Sequence, residues 1–132
     1  MSGGGFLLGL DGGLYDHVAA MLVNLGAVAA VDDLEGQVVQ LTDEAGRLFT
    51  LYERVPVGTE WEVREGPVRP AAGVQVPDLH RVTACPFECR GPDLVARLAE
   101  MAAVVSEGPV WVLDGDGVVW GAGAVDPAKV RL

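Results

Sequence analysis

The side chains best suited to chemistry in this sequence are two carboxylates, Asp114 and Asp116, in the stretch Asp-Gly-Asp-Gly. Such a pair can act as general acid and general base in catalysis, or can bind a divalent cation. An EF-hand calcium loop needs oxygen ligands at positions 1, 3 and 5, Gly at position 6 and Glu at position 12. Counted from Asp114, positions 5, 6 and 12 are Val118, Val119 and Val125, which excludes such a loop.

The same segment, Val112 to Val118, resembles the first motif of haloacid-dehalogenase-type phosphatases, an apolar strand that ends in Asp-x-Asp-Gly. The resemblance implies that Asp114 is the nucleophile, that Asp116 is the general acid/base and that both carboxylates bind Mg²⁺. The later motifs of that family supply a Ser or Thr, a Lys and further carboxylates. We expect the stretch Val119 to Leu132 to be too short for them. We therefore predict a hairpin turn here and no catalytic residue.

A second group of reactive side chains comprises His80, Cys85 and Cys89, which suggests a zinc site or a thiol nucleophile. Structural zinc usually takes four ligands, often in two pairs, and His17 is the remaining soft ligand of the sequence. In an extended strand the two sulfur atoms would lie roughly 13 Å apart, at ~3.3 Å per residue. We therefore predict that both cysteines are small buried side chains, and we expect neither a metal nor a cofactor.

Three tryptophans, Trp61, Trp111 and Trp120, offer a possible pocket lining near the loop 66–77. At alternating strand positions such side chains more often belong to the core or its rim. Both interpretations stay open on the sequence alone.

The elements that must position these residues are two amphipathic helices and a series of short strands. Apolar residues at helical spacing predict helices over about 12–25 and 92–105, with Asp11 as the first N-cap and Gly26 as the stop. Alternating or β-branched runs predict strands over 27–31, 37–41, 47–55, 61–64, 81–89, 110–113 and 118–120. Pro86 places the fifth of these at an edge or a bulge. This order is typical of an α+β fold, with both helices on one face of a mostly antiparallel sheet.

The chain of 132 residues suits a single domain, 1–132. Within it we expect a flexible Gly-rich leader or a first short strand over 1–10, a Pro/Gly loop over 66–77 and a surface tail over 124–132.

The net charge is −10, from 19 acidic and 9 basic side chains. That balance disfavours binding to nucleic acid or to anionic membranes. The start of the chain lacks the basic segment of a signal peptide, and no apolar run approaches the ~18 residues of a membrane span. We therefore expect a cytoplasmic protein.

Over half of this charge falls between residues 32 and 65, where nine acidic residues stand against three arginines. We predict that these acidic residues form a surface for a basic partner protein. They are Asp32, Asp33, Glu35, Asp43, Glu44, Glu53, Glu60, Glu62 and Glu65.

The composition therefore favours a small acidic protein-binding module, such as an immunity-type inhibitor that masks a basic, nuclease-like toxin. Two alternatives stay open. One is a small-molecule-binding or enzymatic domain with a tryptophan-lined cleft, and the other is an oligomeric structural protein with pairing strand edges. The sequence does not determine the oligomeric state.

Overall fold

A computed structural model describes residues 3–33 and 36–132 of the chain. Within them, eight strands form one sheet in the order β2-β3-β4-β6-β1-β7-β8-β5. All neighbouring pairs are antiparallel except β5 and β8, which are parallel. The strands are β1 Gly4–Gly9, β2 Val28–Asp32, β3 Gly36–Thr42, β4 Leu48–Tyr52, β5 Arg69–Pro70, β6 Thr83–Glu88, β7 Val110–Leu113 and β8 Val118–Gly121.

The helices α1 (Leu14–Asn24) and α3 (Pro92–Val105) cover one side of this sheet, here called the first face. Their apolar stripes pack there on side chains of the central strands, so the predicted α+β fold with two helices on one face is confirmed. Helix α1 ends at Asn24, and the predicted stop, Gly26, follows the C-cap Leu25 with a φ of 105° that suits glycine. The amides of Gly26 and Ala27 bond back to the carbonyls of Val23 and Leu22, which closes the helix end.

The opposite side, here called the second face, is covered by the segment between β4 and β6. Val63, Val68, Val74 and Val76 from this segment join a second cluster of apolar residues. Residues 66–77, expected to be a loop, thus include the edge strand β5 and pack on the sheet.

The strand expected at 61–64 is wrong, because these residues belong to a short helix, α2 (Glu60–Arg64). Val63 is its buried residue, and Glu60 pairs with Arg64 one turn later at 2.9 Å. The Arg64 guanidinium also donates to the carbonyls of Leu79 and Val82, at 2.8 and 2.7 Å. These contacts with a distant segment fix the helix against the sheet.

Of the two expectations for residues 1–10, the flexible leader is wrong and the first short strand is confirmed, because Gly4–Gly9 forms β1 between β6 and β7. A side chain at Gly4 would collide with the carbonyl oxygen of Phe87, and one at Gly5 with that of Leu113. Glycine stands here because the neighbouring backbones approach too closely for a Cβ atom. Met1 and Ser2 lie outside the described residues.

Pro86 was expected at an edge or a bulge, but β6 lies inside the sheet, between β4 and β1. Its pairing with β4 covers only Thr50 opposite Glu88 and Leu51 opposite Phe87. The ladder on that side therefore stops before Pro86, which has no N–H to donate.

The expected surface tail, 124–132, packs on the first face through the buried side chains Val125 and Val130. The Gly115 amide also donates to the carbonyl of Arg131, at 2.6 Å. In the described part of the chain, no helix has the length and hydrophobicity required to cross a membrane.

Candidate functional site

The carboxylate pair at 114 and 116 lies in the turn between two paired strands, so the predicted hairpin is confirmed. Strands β7 and β8 flank it, and Asp114 is only 5% exposed. One carboxylate oxygen of Asp114 accepts from the amides of Asp116 and Val118, both at 2.9 Å. The other accepts from the indole N–H of Trp120 at 3.0 Å and the amide of Arg131 at 3.2 Å. Both oxygens are therefore occupied within the protein, which leaves Asp114 poorly placed to act as a nucleophile.

The two cysteines are free and buried, as the sequence predicts for small apolar side chains. Burial raises the pKa of Cys85 to about 12 and also raises the pKa of Cys89. A thiol with such a pKa supplies almost no thiolate at neutral pH. His80 is exposed at the surface. In residues 3–33 and 36–132, no three His, Cys, Asp or Glu side chains converge as metal ligands would.

An Asp–His pair that sequence reasoning missed lies where α1 begins. The Nδ1 atom of His17 is 2.7 Å from a carboxylate oxygen of Asp11. Asp11 was expected to be the N-cap, but Gly13 holds that position and donates its amide to Asp11 at 2.8 Å. The same carboxylate accepts from the Glu107 amide at 3.1 Å and lies 3.5 Å from the Ser106 hydroxyl.

This arrangement differs from a catalytic triad, in which the serine bonds to the imidazole. Here Ser106 and His17 both approach the carboxylate of Asp11. Asp11 therefore ties the start of α1 to the end of α3, across 96 residues of sequence. The Glu107 amide, followed by the Gly13 amide and His17, lowers the pKa of Asp11 against the opposing effect of burial.

An open cleft with a volume of about 690 Å³ lies on the second face. Its floor includes Gly3–Gly5, at the start of the glycine-rich strand β1. One wall carries Trp61 and Glu62 from α2, and the other is the turn 114–117 between β7 and β8. Its remaining lining includes Phe6, Tyr52, Pro86 and Glu88. These residues come from five separate segments, so only the folded chain brings them together.

The walls of the cleft are held by contacts away from its surface. Helix α2 is anchored through Val63 and Arg64, which leaves Trp61 58% exposed at the rim. A side chain at Gly66 would collide with the carbonyl oxygen of Glu62, so the chain turns tightly after the helix. Within the cleft, the hydroxyl of Tyr52 on β4 donates to Glu88 on the neighbouring strand β6.

The lining of the cleft is acidic. It carries Glu62, Glu88 and Asp116 in addition to the internally bonded Asp114. Among the described residues that line it, none is Lys, Arg or His. The side chains that line the cleft therefore carry net negative charge, next to exposed aromatic surface.

The structure distributes the acidic residues predicted as a partner surface over three places. Glu60, Glu62 and Glu65 lie on or directly after α2, beside the cleft, and Glu60 pairs with Arg64. Asp32, Asp33 and Glu53 lie near the connection between β2 and β3, where Glu53 accepts from the Gln37 amide. Asp43 and Glu44 lie in the turn between β3 and β4. Glu35 lies outside the described residues.

Asp43 is already engaged within the fold. It accepts from the Arg47 amide at 2.7 Å and pairs with the Arg47 guanidinium, contacts that hold its pKa below the ordinary value. Glu62 is thus the member of the predicted set that lines the cleft.

The three tryptophans do not meet in one pocket. Trp61 lines the cleft, Trp111 packs at the edge of the second cluster, and Trp120 is buried on the first face. Because Trp111 and Trp120 point to opposite faces of the sheet, a single tryptophan-lined pocket does not form.

Comparisons with protein-family models, with curated proteins and with solved structures each found no match.

The role of Asp114 can be tested by substitution. Asp114→Ala leaves several buried donors unsatisfied, at about 1–3 kcal/mol for such a group. We predict that it lowers the free energy of unfolding by roughly 3 kcal/mol in urea denaturation. Asp116→Ala, at the exposed position of the same turn, should change it by less than about 0.5 kcal/mol. Equal losses from both variants would contradict a structural role specific to Asp114.

The role of Asp11 predicts a pH dependence. Its pKa in the folded chain lies below the ordinary value of 3.8. The ionised carboxylate thus stabilises the fold above that value, and the stabilisation is lost as the pH falls through the folded pKa. We expect Asp11→Asn to reduce stability at neutral pH, with a difference from the native protein that narrows below a pH of about 4. A difference that stays constant over the acid range would argue against this role.

Proposed function

We propose that this chain is a small acidic protein-binding module that masks a basic partner protein, as an immunity-type inhibitor masks a nuclease-like toxin. The observation that carries this proposal is the cleft, whose walls hold carboxylates and exposed aromatic surface and whose described lining holds no basic side chain. A basic protein surface is the complement of such a site.

The sheet beside the cleft offers room for a partner of protein size. Val39 and Leu41 of β3 face the first cluster, so Val38 and Gln40 point to the second face. Among the described residues, the cluster that covers the second face draws no member from β2, β3 or β4. On the second face of these strands Gln40 is exposed and Val38 is half-buried, so part of this surface beside the cleft is accessible.

The charge of the chain supports the same partner class. A net charge of −10 attracts a basic protein over a distance of about one Debye length, ~8–10 Å at moderate salt, and raises the association rate. It repels nucleic acid for the same reason. An inhibitor that must find a basic toxin quickly gains from this steering.

Trp61 supplies the apolar anchor that such an interface needs. Tryptophan is enriched among the residues that dominate binding energy in protein interfaces. Its side chain is 58% exposed at the rim, while α2 beneath it is fixed by Arg64. We place the module in the cytoplasm, a location that the free buried thiols of Cys85 and Cys89 support.

A charge-matched comparison tests the proposal. One variant neutralises two carboxylates that line the cleft and one that lies directly after α2 beside it, with Glu62→Gln, Asp116→Asn and Glu65→Gln. Its control removes three exposed carboxylates of the α1 and α3 side with Asp16→Asn, Glu100→Gln and Glu107→Gln. Both variants have the same net charge, so they separate the cleft from overall acidity.

The immobilised proteins are compared in capture of basic proteins from a native lysate, at low and at high salt. Exposed charge pairs contribute about 0.2–1 kcal/mol each, so the cleft variant should bind the captured partner roughly tenfold more weakly. The control should keep its capture within about twofold. Equal loss in both variants, or no basic protein captured at low salt by the native chain, would refute the proposal.

A second candidate is a small-molecule-binding or enzymatic domain, which the size of the cleft favours. Its volume of about 690 Å³ lies within the roughly 300–1,000 Å³ of typical ligand pockets. Capture unaffected by the cleft variant, together with a small molecule retained in the cleft, would favour this candidate.

A further inference from the structure

Aromatic side chains and carboxylates both line the cleft. Trp61 and Glu62 are neighbours on α2. Tyr52 on β4 donates to Glu88 on the neighbouring strand β6. Phe6 of β1 lies between Pro86 of β6 and Leu113 of β7. Each carboxylate of the walls thus has an aromatic ring in the same cavity. A ligand of the cleft meets both kinds of group at once.

The floor of the cleft favours a flat, extended ligand. Gly3–Gly5 present backbone only, because side chains at Gly4 and Gly5 would collide with neighbouring carbonyl groups. A volume of about 690 Å³ also exceeds what a single metal ion fills. The space suits a side chain inserted between Trp61 and the turn 114–117.

Of the two basic side chains, arginine matches this lining better than lysine. The guanidinium group is planar, stacks on aromatic rings and donates two parallel hydrogen bonds to a carboxylate. The ammonium group of lysine is compact and strongly hydrated, so leaving water for the cleft costs it more.

We propose that the cleft takes an arginine side chain presented by the basic partner, which stacks on Trp61 and pairs with Glu62. This inference rests on the proposed function and names the residue of the partner that the cleft recognises. Glu88 and Asp116 add to the negative potential around the guanidinium group.

The probes are three blocked tripeptides, N-acetyl-Gly-Arg-Gly-amide and its lysine and citrulline analogues. Citrulline keeps the shape of arginine without its charge. Binding is followed at low salt by calorimetry and by the NMR shift of the Trp61 indole N–H, assigned with Trp61→Phe. We expect the arginine peptide to bind at least roughly fivefold more tightly than the lysine peptide, and citrulline more than about tenfold more weakly than arginine.

Variants locate the binding. Glu62→Gln and Trp61→Ala should each weaken the arginine peptide by roughly fivefold or more, while Glu100→Gln on α3 should leave it unchanged. Free L-arginine has the same net charge as the blocked peptide but lacks its flanking peptide groups, so it should bind no more tightly than the peptide. Tighter binding of free arginine would overturn the inference in favour of a small metabolite.

Two further results would also overturn it. One is citrulline that binds as well as arginine, and the other is lysine that binds as tightly as arginine. If they occur while the cleft variant still loses its captured basic protein, only the arginine assignment fails and the proposed function stands. If the cleft variant and its control also capture the basic protein equally well, both the arginine assignment and the proposed function fail.

Discussion

The fold depends on how closely three backbones meet at the centre of the sheet. At Gly4 and Gly5, β6 and β7 bring their carbonyl oxygens into the space that a Cβ atom would occupy. This constraint admits only glycine at both positions. Because successive strand residues point to opposite faces, Gly4 is the one that leaves bare backbone on the second face. The cleft exists because the covering segment stops beside that backbone, with α2 forming one wall and the β7–β8 turn the other.

Polar contacts over long sequence distances then fix the parts around this centre. Arg64 ties α2 to the carbonyls of Leu79 and Val82, and Asp114 ties the β7–β8 turn to the backbone at Arg131. Asp11 joins the ends of α1 and α3 on the opposite side. A carboxylate or guanidinium group with this many hydrogen-bond partners holds the segments that it joins in one relative position. Glu62 and Asp116, by contrast, line the cleft and are exposed there.

The sequence predicted the elements whose signals are local. The stripes of α1 and α3, Gly26 at the end of α1 and Asp114–Gly117 between β7 and β8 depend on neighbours in the chain, and they are confirmed. Residues 61–64 were predicted as a strand because alternation over four residues fits either a strand or one helical turn. The helix is favoured by the hydrogen bonds from Arg64 to the carbonyls of Leu79 and Val82, which lie 15 and 18 positions further along the chain.

Features that depend on contacts between distant segments could not be predicted from the sequence. Three successive glycines resemble a flexible leader until the strands on either side are known. The cleft joins five segments, and Asp11 meets Glu107 across 96 positions. Two of the predicted site residues, Trp61 and Glu62, do line the cleft. The sequence could indicate them because the binding chemistry of an aromatic ring or a carboxylate follows from the residue type alone. Their placement next to Glu88 and Asp116 follows only from the topology.

The central claim is that the cleft attracts cations at Trp61, and fluorescence quenching measures this directly. The Trp61 signal is the difference between the native protein and Trp61→Phe, quenched by caesium and by iodide and normalised to N-acetyltryptophanamide. A negative cleft predicts that caesium quenches Trp61 several-fold more efficiently than iodide, with the preference reduced by Glu62→Gln and by added salt. Equal normalised quenching by the two ions, or a preference for iodide, would contradict it.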